Sequence, residues 1–198
     1  PISTMFLLFV GMFLLLCVIG IDKWISAIGG IAYGMSSYFF IIVNAGHTSK
    51  AIAISLMAFI IAGFVLIFRK KYLLGGLIVA LFLSLQLYIN HVQITYYTIL
   101  LGGIYVLYEI IMFIKERKCK DLLYSFLFLF ISIVISILPN TTQLWTTYEY
   151  GKYTTRGKSE LSFDKNNKTT GLDKDYATAW SYGISETMTL LIPNYKGG

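Results

Sequence analysis

Six long apolar blocks, separated by short polar loops, constrain this chain more than any other feature. Each block approaches the length of about 20 residues that an α-helix needs to cross about 30 Å of hydrocarbon. Because a bilayer interior offers no partner to backbone N–H and C=O groups, a helix must satisfy them within the segment. The blocks lie at 5–21, 24–43, 51–68, 72–89, 94–114 and 122–138. We therefore predict an all-α polytopic membrane protein with a transmembrane bundle over residues 1–138.

The composition supports this class and argues against a nucleic-acid partner. Of the 198 residues, 57% are hydrophobic and only 13% are charged. The formal net charge of +6 is distributed in short clusters beside apolar blocks, which is typical of anchors at a lipid headgroup surface. A nucleic-acid interface would instead show a basic stripe interleaved with aromatic residues. The two cysteines, Cys17 and Cys119, form no CxxC pair and predict neither a disulfide framework nor a metal site.

The composition changes abruptly after Pro139. Residues 139–198 are rich in Thr, Tyr, Lys, Asp and Asn, so we predict the start of an aqueous segment outside the bundle. The chain opens at Pro1 without an initiator methionine and stops at Gly198 in an apparent loop. We therefore expect an internal fragment whose extracytoplasmic segment is truncated.

The loops differ in charge between the two sides of the predicted bundle. Alternate connections on one side carry Lys23, Arg69, Lys70, Lys71, Lys115, Arg117, Lys118 and Lys120. The short loops of the other side carry Lys50 and the two histidines, His47 and His91. The positive-inside rule makes the first side cytoplasmic. We therefore predict that both histidine-bearing loops and both ends of the fragment are extracytoplasmic.

The first polar cluster is the loop Asn44-Ala45-Gly46-His47-Thr48-Ser49-Lys50. It combines a glycine, a histidine, two hydroxyls and a lysine, groups that bind phosphate or transfer protons. We expect Thr48 and Ser49 to cap the following helix, whose N-terminal amides would then favour an anion. Two interpretations stay open: a phosphate or pyrophosphate cradle, or a capped turn with a lysine that extends to the interface.

The second cluster comprises Gln86, Asn90, His91 and Gln93. The spacing of positions 86, 90 and 93 predicts one polar helical face, directed into the bundle or a wet cavity. A substrate contact and polar bonding between helices both fit this pattern. The two histidines lack a nearby carboxylate at ligand spacing, so a shared divalent metal is possible but unsupported, and no cofactor is evident.

The third cluster follows the sixth block. Glu149, Lys152 and Arg156 lie among Trp145 and several tyrosines, a mixture suited to sugar rings and phosphates. An interfacial anchor helix has the same composition. Glu109 is the one carboxylate inside an apolar block, and we expect it to extend toward Lys115 and Arg117. P-loop, GxSxG, HExxH and Rossmann motifs are absent.

Several runs resemble the YfhO family of bacterial membrane proteins, in its Bacteroidetes form. They are AGHTSKAIAISLMAFIIAG, FLSLQLYINHVQITYY, LPNTTQLWTTYEYGKYTTRGKSEL, GLDKDYATAWSYG and LLIPNYKGG. That family looks like the GT-C class of membrane glycosyltransferases. The resemblance implies transfer of a sugar from a polyprenyl-phosphate donor to a cell-envelope glycopolymer, on the outer face of the bacterial cytoplasmic membrane. A noncatalytic scaffold, or a transporter or flippase of envelope polysaccharide assembly, is the alternative.

The resemblance also implies roles for individual residues. His47, Thr48 and Lys50 would bind or protonate the donor phosphate, and Asn90, His91 and Gln93 would line the cavity. Lys152 and Arg156 would approach donor or acceptor. The catalytic carboxylate of such enzymes usually lies in the first long outer loop, which would precede Pro1, so the fragment alone is expected to be inactive. Glu149 is the one nearby candidate base in this stretch.

Overall fold

A computed structural model describes residues 2–151, 178, 179, 181, 183–186, 188 and 195. The helices are α1 (Ile2–Ile19), α2 (Lys23–Gly34), α3 (Ser37–Asn44), α4 (Thr48–Phe68), α5 (Tyr72–Ile89), α6 (Val92–Lys115), α7 (Cys119–Ile137) and α8 (Thr141–Gly151). A 3-10 turn, Leu138–Asn140, joins α7 to α8. Within these residues, six stretches are long and apolar enough to cross a membrane. The predicted all-α polytopic fold is confirmed.

The second span, Lys23–Asn44, is not the single helix that its apolar block predicts. It breaks between Gly34 and Ser37 into α2 and α3. The N–H of Met35 bonds to the Ile31 carbonyl and ends α2, while the Ser36 side chain makes no capping bond to α3. Hydropathy cannot reveal such a break, because the residues around it remain apolar or small.

Helix α4 forms the centre of the bundle. It packs against α1, α3, α5, α6 and α7, and 83% of its apolar stretch is buried. Its small residues allow neighbours to approach on every side, and Ala51 and Ala53 are fully buried. A Cβ atom added at Gly63 would lie 3.0 Å from the Gly75 carbonyl oxygen, and one added at Gly75 would lie 2.7 Å from the Gly63 carbonyl oxygen. The backbones of α4 and α5 therefore pack directly against each other at these two glycines.

Five connections between helices use a residue in the left-handed region. These residues are Gly20, Gly46, Lys70, Asn90 and Arg117. In four of these turns, the residue after the left-handed one donates its N–H to a carbonyl in the last turn of the preceding helix, at 2.9 to 3.0 Å. This bond is typical of a Schellman motif. The tight turns make successive helices run in opposite directions.

The chain divides into two compact units, Pro1–Leu144 and Trp145–Gly198. The second unit begins inside α8, where the polar segment that follows Pro139 is helical as far as Gly151. Trp145, Tyr148 and Tyr150 are exposed on this helix. Further along, the Gly183 N–H donates to a Glu186 carboxylate oxygen at 2.9 Å, and the Glu186 N–H returns a bond to the Gly183 carbonyl.

Candidate functional site at the histidine rim

The alternating helices bring the turns of the first unit to two opposite ends, which differ in chemistry. The basic rim consists of the turns at 20–22, 69–71 and 116–118. Arg69 links two of its helices, because its guanidinium donates to the Val18 carbonyl and, at 2.6 Å, to the Ile19 carbonyl. Lys70 joins the start of α7 through an ion pair of 2.6 Å with Asp121. This hydrogen-bonded pair raises the pKa of Lys70.

The histidine rim is the opposite end, formed by the turns at 45–47 and 90–91 and by the 3-10 turn Leu138–Asn140. Its helix ends are held together by one apolar cluster that includes Phe39, Ile42, Ala51, Ile54 and Ile94. Both histidines of the sequence are therefore at the same end of the bundle. His47 is exposed, whereas His91 is half-buried.

The turn that carries His47 differs from the prediction. The N-cap of α4 is His47 itself, and no side chain makes the capping bond, so the predicted caps Thr48 and Ser49 are wrong. Both residues instead lie inside the first turn of the helix and are exposed. The Lys50 ammonium lies 5.5 Å from the centre of the Tyr38 ring, a cation–π contact that holds the lysine at the rim.

A buried polar network lies beneath this rim and connects three helices. The Gln86 side chain is fully buried on α5. Its amide nitrogen donates to the Ala53 carbonyl of α4 at 2.8 Å and to the Thr98 hydroxyl of α6 at 3.1 Å. Thr98 donates in turn to the Ile94 carbonyl at 2.9 Å. Among the described residues, nothing donates to the Gln86 carbonyl oxygen or contacts His91 Nδ1 by a hydrogen bond, although both atoms are buried.

The predicted polar face through positions 86, 90 and 93 is wrong, because α5 ends at Ile89 and α6 begins at Val92. Asn90 is the left-handed C-cap of α5, with φ at 57°, and it is exposed. Gln93 starts the next helix and bonds to the Tyr97 hydroxyl at 2.9 Å, on the exposed surface. Of the three residues, only Gln86 is directed into the bundle.

A ladder of hydrogen bonds that the sequence did not predict joins α5 to the segment from Ser136 to Gln143. Ser136 donates to the Ala80 carbonyl at 3.2 Å, and Gln143 donates to the Tyr88 carbonyl at 3.1 Å. Between them, the buried Asn140 amide donates to the carbonyl and hydroxyl of Ser84, each at 3.1 Å. The spacing of Ser132, Ser136 and Asn140 at four residues was the available signal, since it places three polar groups on one helical face.

An apolar groove runs from the histidine rim into the bundle between α6 and α7, over a floor of α4 and α5. One cavity of about 320 Å³ reaches Gly103, Val106 and Leu129, and Thr95 and Thr98 supply its few polar groups. A second cavity of about 210 Å³ shares Leu87, Thr95 and Ile99 with the first and reaches Asn90 at the rim. At 1.5 Å per residue, the groove follows α6 for about 20 Å.

Three predicted site residues belong to the part of the chain that follows the first unit. Lys152 and Arg156 are outside the described residues. Glu149 is exposed on α8 in the second unit. Within the described part of the chain, His, Cys, Asp and Glu side chains form no group of three or more that could hold a metal ion.

Glu109 has a different partner from the predicted one. The Tyr105 hydroxyl donates to its carboxylate at 2.6 Å, across one turn of α6. The expected pairing with Lys115 or Arg117 is not among its hydrogen bonds. Lys118 instead pairs with Glu116 at 2.5 Å, and both side chains are about half-exposed.

The fold and this rim define a multi-pass α-helical membrane protein with buried amide and hydroxyl groups and an apolar groove at one end. The sequence matches no protein-family model and no curated protein, and the structure matches no solved structure.

Proposed function

We propose that this chain is part of a membrane glycosyltransferase that transfers a sugar from a polyprenyl-phosphate donor to a cell-envelope acceptor. Under this proposal the histidine rim faces outward from the cytoplasmic membrane, because the cations gather at the other rim. The observation that carries the proposal is the groove between α6 and α7, an apolar channel that opens beside Asn90.

The groove suits a lipid chain better than a soluble substrate. Its lining is almost wholly apolar, and transfer of a hydrocarbon chain into it loses no hydrogen bond. A donor with its chain in the groove would hold its phosphate near the turn at 90–91. His91 lies in this turn as the N-cap of α6, and an imidazole N–H can donate a hydrogen bond to a phosphate oxygen.

The chemistry assigns limited roles to this chain. The acceptor hydroxyl oxygen would attack the anomeric carbon, the bond from that carbon to the phosphate oxygen would break, and polyprenyl phosphate would leave. His91, with Lys50 and His47 on the neighbouring turn, would stabilise the leaving phosphate. The acceptor proton would pass to a carboxylate base, which the described residues of this rim do not supply.

One observation favours a second candidate, a transporter or flippase. The break between α2 and α3 resembles the discontinuous helices that line substrate sites in transporters. The break carries no ionisable residue, whereas transporter sites usually place charge near the midplane. A flippase would move the lipid-linked sugar without consuming it.

The test uses the protein in its own bacterium, with polyprenyl-phosphate sugars measured by mass spectrometry of extracted lipids. Gly103 lies on the groove, and a side chain added there meets open space. Gly103→Leu would fill the groove about 16 Å below the rim. We expect the deletion, Gly103→Leu and His91→Ala to accumulate the same lipid-linked sugar.

The matched controls are Gly103→Ala, which adds one methyl group to the groove, and Gln93→Ala, which removes an exposed amide from the same rim. Both should keep the wild-type lipid pool. Accumulation restricted to the inner leaflet, detected with a membrane-impermeant sugar oxidant, would favour the flippase. An unchanged pool in the deletion strain would contradict both functions and favour a noncatalytic scaffold.

A further inference from the structure

The N-terminus of α6 lies at the mouth of the groove and carries free backbone donors. In the other four left-handed turns, the N–H that follows the left-handed residue bonds back to the preceding helix. At the turn that begins α6, the His91 N–H makes no such bond, and among the described residues neither it nor the Val92 N–H has a partner. The His91 side chain makes no capping bond either. Both N–H groups are therefore available to an anion at the positive end of the helix dipole.

Thr95 adds a hydroxyl to the same part of the groove. The residue is 8% exposed and lines both cavities of the groove. A hydroxyl inside a helix often donates to the carbonyl four residues earlier, as Thr98, Ser125 and Ser132 do here. The Thr95 hydroxyl makes no hydrogen bond among the described residues. It is thus an almost fully buried polar group without a partner, at the wall of the groove.

The Thr95 hydroxyl and the end of the helix lie within reach of one small ligand. Val92 and Thr95 are three residues apart, which is about 4.5 Å along the helix axis. The Cα–Cβ bond of a helical residue tilts toward the N-terminus, so the Thr95 side chain leans toward the free N–H groups. Val92 borders the smaller cavity and is exposed, whereas the lining deeper in the groove is apolar. The donors are therefore gathered at the mouth, where the apolar channel begins.

We infer that the N-terminus of α6 and the Thr95 hydroxyl bind the phosphate group of a polyprenyl-type lipid whose chain fills the groove. The inference rests on the proposed function and names the atoms that hold the lipid phosphate. One phosphate oxygen accepts from the His91 and Val92 N–H groups, as anions do at helix N-termini, and another accepts from Thr95. These donors are neutral, so the site needs no surplus of charged side chains. It selects a phosphorylated lipid over the free alcohol.

The test measures binding to the purified protein in detergent by native mass spectrometry. The probes are geranylgeranyl phosphate, geranylgeraniol, which has the same chain without the phosphate, and inorganic phosphate. We expect the lipid phosphate to bind about tenfold more tightly than the alcohol, because hydrogen bonds to a charged group are the stronger ones. Inorganic phosphate at an equal concentration should not displace it, since the chain contributes the burial of apolar surface.

Two substitutions remove the donors separately. Thr95→Val deletes the hydroxyl but keeps the shape of the side chain, and should weaken binding of the lipid phosphate about fivefold. Thr95→Ser keeps the hydroxyl and should restore binding to within about twofold of the wild type. Val92→Pro removes one N–H at the first helical position, where proline fits, and should cost about fivefold. Each variant should bind the alcohol as the wild type does, which checks that the groove is intact.

The matched control is Cys119→Pro, which removes the N–H at the first position of α7, exposed at the opposite rim. It should leave both affinities unchanged. If Thr95→Val or Val92→Pro binds the lipid phosphate as the wild type does, or if the wild type binds the alcohol equally well, the inference is wrong and the groove remains a lipid site. Binding of neither lipid would contradict the groove of the proposed function as well. Displacement by inorganic phosphate would assign the site to a soluble phosphate and overturn the lipid as its occupant.

Discussion

The two rims of the bundle are held together by different kinds of polar contact. The basic rim relies on charged side chains near the surface, such as the Lys70–Asp121 pair, whose members are 50% and 31% exposed. The histidine rim relies on uncharged amides and hydroxyls inside the bundle, such as the fully buried Gln86. Water and salt reach the exposed ion pairs and weaken them. The buried hydrogen bonds are shielded from both, and no solvent molecule can take the place of a lost partner.

Charged side chains at the basic rim bond to the carbonyls at a helix end and to one another. Beneath the histidine rim, Gln86 Oε1 and His91 Nδ1 are buried and have no hydrogen bond among the described residues, and the same holds for the Tyr72 hydroxyl beside the basic rim. Because an unpaired buried polar atom carries a desolvation penalty, such atoms are expected where a ligand or water completes the set.

The largest expected effect is at Gln86. Gln86→Ala removes two hydrogen bonds that join three helices and leaves a cavity, so we expect a loss of about 2–4 kcal/mol in the free energy of unfolding. Gln93→Ala is the matched control, since the same residue type lies exposed at the same rim. It should lose less than about 0.5 kcal/mol. Equal losses in reversible detergent unfolding would contradict the contrast between buried and surface contacts.

The ion pair at the basic rim should matter less. Asp121→Asn removes the charge that faces Lys70, and we expect a loss of about 0.2–1 kcal/mol at low salt. In about 1 M salt the loss should nearly vanish, because the screening length falls to about 3 Å. The loss at Gln86 should not change with salt. A salt-independent loss for Asp121→Asn would show that this pair acts as a buried contact.

The smallest effect concerns the left-handed turn residues. Arg117 has a φ of 55°, so Arg117→Gly should stabilise the protein by about 0.5–1 kcal/mol. Asn90 has nearly the same φ at the histidine rim, but asparagine tolerates this region, and Asn90→Gly should change stability by only a few tenths of a kcal/mol. Thermal unfolding of both variants in the same detergent would check this. A destabilised Arg117→Gly would show that the arginine side chain makes a stabilising contact larger than the strain.

Some residues of the candidate site could be predicted from the sequence pattern, and others could not. Alternation of the spans correctly brought His47, Lys50 and His91 to one end, because tight turns leave little choice of direction. The prediction that Gln86, Asn90 and Gln93 share one helical face is wrong, because Asn90 adopts a left-handed conformation and ends the helix. The ladder through Ser136 and Asn140 was missed because its acceptors are backbone carbonyls, which every residue has.

The sequence by itself determined the class of the protein and the six spans within the described residues. Long apolar blocks must be helical in a bilayer, where each segment has to satisfy its own backbone groups. The tertiary structure alone decided which helix is central. Helices α1 and α4 are about equally apolar, yet 17% of the apolar stretch is buried in α1 and 83% in α4. Lipid tails and a protein interior are alike in polarity, so close packing of small residues, not hydropathy, selects the helix that the others surround.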